Sequence, residues 1–105
     1  MLKKLDLSPG KIVYDDFQIK PNIPFEQQKF SFKEDLFQVD FYEKYLIDIG
    51  WSPDFESKGN FKIRIIKDYN WTHPLYFKKT NKLDTLPFFI KECVDIIRQK
   101  LAKKT

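Results

Sequence analysis

The sequence contains few of the residues from which enzyme active sites are commonly built. Its 105 residues include one cysteine and one histidine, and the three glycines, Gly10, Gly50 and Gly59, are scattered. A single cysteine excludes an intramolecular disulfide, and scattered glycines exclude a glycine-rich phosphate loop. No CxxC, HExxH or HxH spacing occurs, so we expect no metal site and no cofactor. We predict that the protein is not an enzyme.

The sole cysteine and the sole histidine form the only candidate thiol–histidine pair. The helical spacing around Cys93 puts this thiol on an apolar face, whereas Pro74 holds His73 in an extended loop conformation. A core thiol and a loop histidine are therefore favoured over a catalytic pair.

Long apolar runs are also missing. No run approaches the roughly 20 residues that span a bilayer, and the opening MLKKLDLSPG lacks the apolar region of a secretory signal. We expect a cytoplasmic protein without membrane contact. The length supports a single domain over 1–105, with an N-terminal arm at 1–10 of slight importance, a mainly antiparallel sheet at 11–82 and a helix at 84–103.

Charge is unevenly distributed along the chain. The net charge is +4, but residues 1–33 carry +2, residues 34–56 carry −6 and residues 57–105 carry +8. An acidic middle predicts an acidic surface that attracts a cationic partner and repels a nucleic-acid backbone. Tyr76 and Phe77 lie beside lysines, as in single-strand RNA binders, but no RNP-like pattern occurs. Nucleic-acid binding is the less favoured hypothesis.

Alternating apolar residues are abundant in the middle of the chain. Two series of alternating apolar residues predict two strands: Tyr45, Ile47, Ile49 and Trp51 in the first, and Phe61, Ile63 and Ile65 in the second. A nine-residue loop, 52–60, joins them. Further strands are predicted at 37–41 and from Leu75 onward, with turns at 42–44 and 67–72. Residues 11–19 resemble a short, irregular edge strand, while 25–32 fit either a helix or a strand.

The last segment has helical periodicity. Its apolar residues recur every three or four positions, at Leu86, Ile90, Cys93, Val94, Ile97 and Leu101. Pro87 falls in the first turn, where its missing N–H costs little. The fold class is therefore α+β: an antiparallel meander of about four strands with a long C-terminal helix packed on one face.

The other face of this sheet would stay uncovered unless the N-terminal segment crosses it. It would carry Leu46, Asp48, Lys62, Arg64 and Ile66. Asp48 and Arg64 are expected as cross-strand neighbours, forming an ion pair that has little energetic value if it is exposed. The acids Asp54 and Glu56 of the long loop, together with Trp51 or Trp71, would suit a contact surface. Trp51 fits the core and the surface equally well, whereas Trp71 lacks an inward-facing row and is the better candidate for an interface.

The stretch IDIGWSPDFESKGNFKIRIIKDYNWTHPL carries a family resemblance. The residues that carry it are Asp48-Ile49-Gly50-Trp51, Pro53, Gly59 before Phe61-Lys62-Ile63, and Asp68 to Trp71 before Pro74-Leu75. In these residues the stretch resembles small immunity proteins of bacterial polymorphic and contact-dependent growth-inhibition toxin systems. The preceding Lys33 to Val39 is similar as well. The chain departs from many inhibitors of cationic nucleases in being basic overall.

The resemblance implies a cytoplasmic protein that binds the toxic C-terminal domain of a cognate effector, commonly a nuclease, and blocks its active site or substrate path. It implies no catalytic residues. The candidate toxin-binding residues are the acids of the middle segment and the two tryptophans: Asp40, Glu43, Asp48, Trp51, Asp54, Glu56 and Trp71. A small interaction domain of unrelated purpose is the main alternative, and a nucleic-acid binder is the third. The oligomeric state is left open.

Overall fold

A five-stranded antiparallel meander forms the centre of the fold. The computed structural model describes residues 2–103, so Met1 of the expected arm lies outside the described residues. The strands, in both chain and sheet order, are β1 (Lys11–Asp15), β2 (Phe37–Phe41), β3 (Tyr45–Ser52), β4 (Asn60–Lys67) and β5 (Tyr76–Thr80). The α+β class and the meander are confirmed. The count of about four strands was low, because the irregular segment after residue 10 is a paired edge strand with a bulge near Ile12.

One face of the sheet, here called the inner face, forms the core. The alternating residues predicted in the central strands are buried on it, and helix α1 (Leu86–Ala102) packs against them through Leu86, Ile90, Cys93, Val94 and Ile97. At roughly 1.5–3 kcal/mol for each fully buried large apolar side chain, this contact is a major source of stability. No helix in residues 2–103 is long and apolar enough to cross a membrane.

A short 3₁₀ turn, Leu83–Thr85, leads into α1. The Thr85 hydroxyl donates to the carbonyl oxygen of Lys82 at 2.9 Å, and Pro87 occupies the first turn of the helix. These local contacts fix where the chain leaves the sheet and turns back across it.

The N-terminal segment is part of the core, contrary to the slight role expected for it. Leu2 and Leu7 are buried within the hydrophobic cluster. Arg98 of α1 donates to the backbone oxygen of Ser8 at 2.7 Å and lies 3.3 Å from the carboxylate of Asp6. The segment therefore extends the covering layer that the helix begins.

Residues 25–32, left open between helix and strand, contain a 3₁₀ helix over Phe25–Ser31. Its first residue and the extended Phe32 join an aromatic cluster at one end of the inner face. Ring centroids of Phe32 and Trp51 are 4.4 Å apart, and those of Trp51 and Phe61 are 4.9 Å apart. Trp51 is only 1% exposed, so it is a core residue.

Candidate functional site: the outer face of the sheet

The face opposite the helix, here called the outer face, carries a row of polar and aromatic side chains. The strand registers place Gln38, Asp48, Arg64 and Phe77 side by side across β2, β3, β4 and β5. The guanidinium carbon of Arg64 lies 5.1 Å from the centroid of the Phe77 ring. The row is therefore connected from one strand to the next by polar and cation–π contacts.

Asp48 is the centre of this row. Its two carboxylate oxygens accept hydrogen bonds from Gln38 Nε2 at 2.9 Å and from Arg64 Nη1 at 3.5 Å. The expected pairing of Asp48 with Arg64 is present, and its acidic member is buried, since Asp48 is only 3% exposed. Burial raises the pKa of the Asp48 carboxyl above its ordinary value, against the opposing effects of Gln38 and Arg64.

The chain segment before β2 folds against the end of β3. The Trp51 N–H donates to the Lys33 oxygen at 2.8 Å, and the Leu36 N–H donates to the Ile49 oxygen at 3.0 Å. Between these bonds the backbone of Glu34 passes so close to Gly50 that a Cβ there would overlap the Glu34 carbonyl. Glycine at position 50 therefore permits this approach, which sets Glu34 and Asp35 beside the outer face.

A polar pocket of about 290 Å³ lies on the outer face. Its lining includes Asp48, Gly50, Lys62 and Arg64 from the strands, Glu34 and Asp35 from the preceding segment, and Trp71 from the β4–β5 loop. Trp71 is 49% exposed, so the loop brings a large aromatic side chain to the pocket without burying it. We call this site the outer-face pocket.

The rim of the outer-face pocket is acidic. Glu34 and Asp35 are exposed, and no ion pair within residues 2–103 uses their carboxylates or the ammonium of Lys62. Arg64, by contrast, is already bound to Asp48. Sequence reasoning did not select Glu34 or Asp35 as individual contact residues, although the strongly acidic segment that they begin was the signal that could have found them.

The acids of the long loop serve partly as structural anchors. Asp54 Oδ1 accepts a hydrogen bond from the backbone N–H of Glu34 at 2.7 Å, and the backbone oxygen of Glu56 accepts one from the indole Nε1 of Trp51 at 2.9 Å. Both residues are exposed. Asp54 thus positions the rim segment, whereas the Glu56 carboxylate itself has no partner among the ion pairs of residues 2–103.

Asp40 and Glu43 lie at the other end of β3. Glu43 belongs to the turn between β2 and β3, in which the Lys44 N–H donates to the Phe41 oxygen at 3.1 Å. Asp40 Oδ2 accepts from the Glu43 N–H at 3.1 Å. The fold therefore separates the seven predicted residues into three groups. Asp48, Trp51 and Trp71 line the pocket, Asp54 and Glu56 contact the lining residues Glu34 and Trp51, and Asp40 and Glu43 lie at the opposite end of the β2–β3 pair.

The turn with Glu43 stands beside a second turn of the same type. The central residues of both turns have φ between 52° and 60°. They are Tyr42 and Glu43 in the first turn, and Asp68 and Tyr69 in the second. The Asn70 N–H donates to the Lys67 oxygen at 3.0 Å, which closes the second turn. Such left-handed conformations cost about 1–2 kcal/mol for a residue with a Cβ. We call this pair of type I′ turns the paired-turn end.

The residues that sequence analysis considered for catalysis lie outside the pocket. Cys93 is fully buried, and burial raises the pKa of its thiol to about 12, so a reactive thiolate is disfavoured at neutral pH. His73 is exposed in the β4–β5 loop. Among residues 2–103 there is no group of three or more His, Cys, Asp or Glu side chains that could hold a metal ion.

A larger groove, of about 500 Å³, separates the N-terminal segment from α1. Its lining includes Leu5, Pro87, Phe88 and Val94, so it is mainly apolar. None of the seven predicted contact residues lies in it. The outer-face pocket is therefore the candidate site to which both the charge pattern and the predicted residues lead.

Comparison of the chain with family models, curated proteins and solved structures found no match.

Proposed function

We propose that the chain is an immunity protein, which binds a cognate toxin domain in the cytoplasm and neutralises it by covering its active site or substrate path. The proposal rests chiefly on the outer face, where half-exposed Trp71 stands beside a pocket with the unpaired acids Glu34 and Asp35 on its rim. An aromatic anchor surrounded by charged groups is a common arrangement at protein interfaces. The resemblance of the central segment to immunity proteins supports the same proposal.

An immunity protein has to leave almost no free toxin. This requires a dissociation constant near or below ~1 nM, about 12 kcal/mol of binding free energy. Trp71 can contribute part of that energy because its exposed ring would lose its contact with water in a complex. The exposed Glu34 and Asp35 can attract a cationic surface and speed association.

Binding to the product of the open reading frame immediately upstream tests this function. The C-terminal domain of that product should co-purify with the chain and lose its toxicity in the complex. Trp71→Ala should weaken binding by about 30-fold, a typical effect for an aromatic anchor. Reversing both rim charges, with Glu34→Lys and Asp35→Lys, should mainly slow association, and the slowing should diminish at high salt.

Phe88→Ala is the matched control for these variants, since Phe88 is an exposed aromatic residue on α1 rather than on the outer face. It should leave affinity unchanged. Equal loss of affinity in the Phe88 and Trp71 variants would contradict an outer-face interface. Absence of any binding by the unsubstituted chain would contradict the immunity function and leave an interaction domain of other purpose as the alternative.

A nucleic-acid-binding function is the second candidate. Phe77 and Lys79 alternate on the outer face of β5, which is the arrangement that single-strand binders use for stacking and phosphate contact. The Arg64 guanidinium already lies over the Phe77 ring, however, and acids rim the adjoining pocket. Binding of mixed single-stranded RNA and DNA that weakens steeply with salt would favour this candidate.

A further inference from the structure

The paired-turn end exposes two tyrosines on backbone that is unfavourable for them. Tyr42 is 71% exposed and Tyr69 is 67% exposed, and both have φ near 60°. Glycine and asparagine tolerate this conformation far better than an aromatic residue does. The fold therefore keeps two bulky aromatic residues where smaller residues would make better turns, and their side chains gain little burial in return.

The two turns are held together. The Asp68 N–H donates to the backbone oxygen of Lys44 at 2.8 Å, and the Lys44 ammonium lies 3.8 Å from the Asp68 carboxylate. Each turn contributes one exposed tyrosine to the same end of the β3–β4 pair. The two side chains are thus presented by a single rigid unit rather than by two independent loops.

The paired-turn end is continuous with the outer-face pocket. Tyr69 and Trp71 belong to the same loop, and the Trp71 N–H donates to the Tyr69 oxygen at 3.1 Å. The remote acids Asp40 and Glu43 belong to the other turn and its adjoining strand. A partner seated on Trp71 would therefore meet Tyr69 next, and Tyr42 and Glu43 beyond it.

We propose that the paired-turn end is a second contact region for the same toxin domain, with Tyr42 and Tyr69 as its anchors. This inference rests on the proposed function and extends that interface from the pocket around the end of the sheet. Exposed tyrosine combines a large ring with a hydroxyl at low cost in side-chain entropy, which is why it is frequent among anchors of protein interfaces. The partner surface that fits has apolar depressions for the rings and a cation opposite Glu43.

The strained backbone provides a test that separates binding from folding. Tyr42→Asn and Tyr69→Gly place at the first and second turn positions the residues that type I′ turns favour. Each should raise Tm by roughly 4 °C or more, because it relieves the left-handed strain without removing buried contacts. Each should also weaken binding of the C-terminal domain encoded upstream by about tenfold or more.

Tyr42→Phe and Tyr69→Phe are the controls, because they keep the ring and remove only the hydroxyl; they should retain most of the affinity. Calorimetry or surface binding gives the dissociation constants, and thermal unfolding gives Tm. A double variant, Tyr42→Asn with Tyr69→Gly, that is folded and binds as tightly as the original chain would overturn the second contact region while leaving the proposed function intact.

A fall in Tm for both single variants would also overturn the inference, since it would mean that the two tyrosine side chains stabilise the fold. If the unsubstituted chain does not bind the domain at all, the proposed function fails, and this inference fails with it. Unchanged affinity in the tyrosine variants together with a loss in Trp71→Ala confines the interface to the outer-face pocket.

Discussion

The two faces of the same sheet differ in what their side chains do. On the inner face, alternate residues of β2, β3 and β4 are apolar and fully buried under α1 and the N-terminal segment. On the outer face, the intervening positions form a polar row around Asp48 and leave a pocket beside Trp71. Because successive side chains of a strand point to opposite faces, the same strands carry both surfaces. The stability of the fold and the binding of a partner can therefore be altered by different substitutions.

The largest effect is expected on the inner face. Ile97→Asp puts a carboxylate at a fully buried position of α1, which costs about 5 kcal/mol or more and should unfold the domain. Circular dichroism and urea titration measure the loss. Gln99→Asp, at an exposed position of the same helix, is the control and should remain folded. A folded Ile97→Asp variant of ordinary stability would contradict the packing of α1 on the sheet.

A smaller effect is expected where the outer face meets the rim segment. Gly50→Ala introduces a Cβ that overlaps the carbonyl of Glu34, so the rim has to move away from β3. Such overpacking typically costs about 1–3 kcal/mol. Unfolding by urea should show this loss, and binding of the proposed toxin domain should weaken because Glu34 and Asp35 are displaced. Unchanged stability and binding would mean that the close approach of the two segments does not matter.

The smallest effect, and the one most specific to the outer face, is a pH dependence. Burial raises the pKa of Asp48 in the folded state. The free energy that this group contributes to folding is therefore most favourable below its pKa in the unfolded chain, near 3.8. That contribution decreases as pH rises through the folded pKa. Asp48→Asn should remove this dependence, so the stability of the original chain relative to the variant should fall over that pH interval.

Urea titrations of both proteins at a series of pH values measure this difference. Asp40→Asn is the matched control, since Asp40 is another outer-face acid of the same strand pair, is only partly buried, and should leave the dependence in place. A difference between the original chain and Asp48→Asn that is flat with pH would contradict the raised pKa of Asp48.

Local pattern was sufficient for the elements whose side chains alternate or recur regularly. The strands around Ile47 and Ile63 and the helix around Ile97 were predicted because each has one apolar face of the right period. The expected pairing of Asp48 with Arg64 followed from the same register. Residues 25–32 had no such period, and their 3₁₀ helix depends on packing of Phe25 against Trp51, with ring centroids 5.8 Å apart.

The candidate site was less accessible from sequence. The acidic middle segment includes Glu34 and Asp35, but Glu34 lies at the pocket because its backbone passes closely over Gly50 and bonds to Asp54. The turns at 42–44 and 67–72 were predicted, but their left-handed backbone at Tyr42 and Tyr69 was not, because neither turn has glycine or asparagine at its two central positions. Contacts between residues distant in the chain therefore determined which acids and aromatics share a surface.

The sequence by itself determined the α+β class, the order of the main strands, the terminal helix and the separation of charge, since these depend on local periodicity and composition. Only the tertiary structure decided that Trp51, which fits core and surface equally well by pattern, belongs to the core. It also decided that Asp48 is buried rather than exposed, and that the N-terminal segment completes the core. Each of these depends on what the folded chain places over a residue, and burial is a property of neighbours that a one-dimensional pattern does not contain.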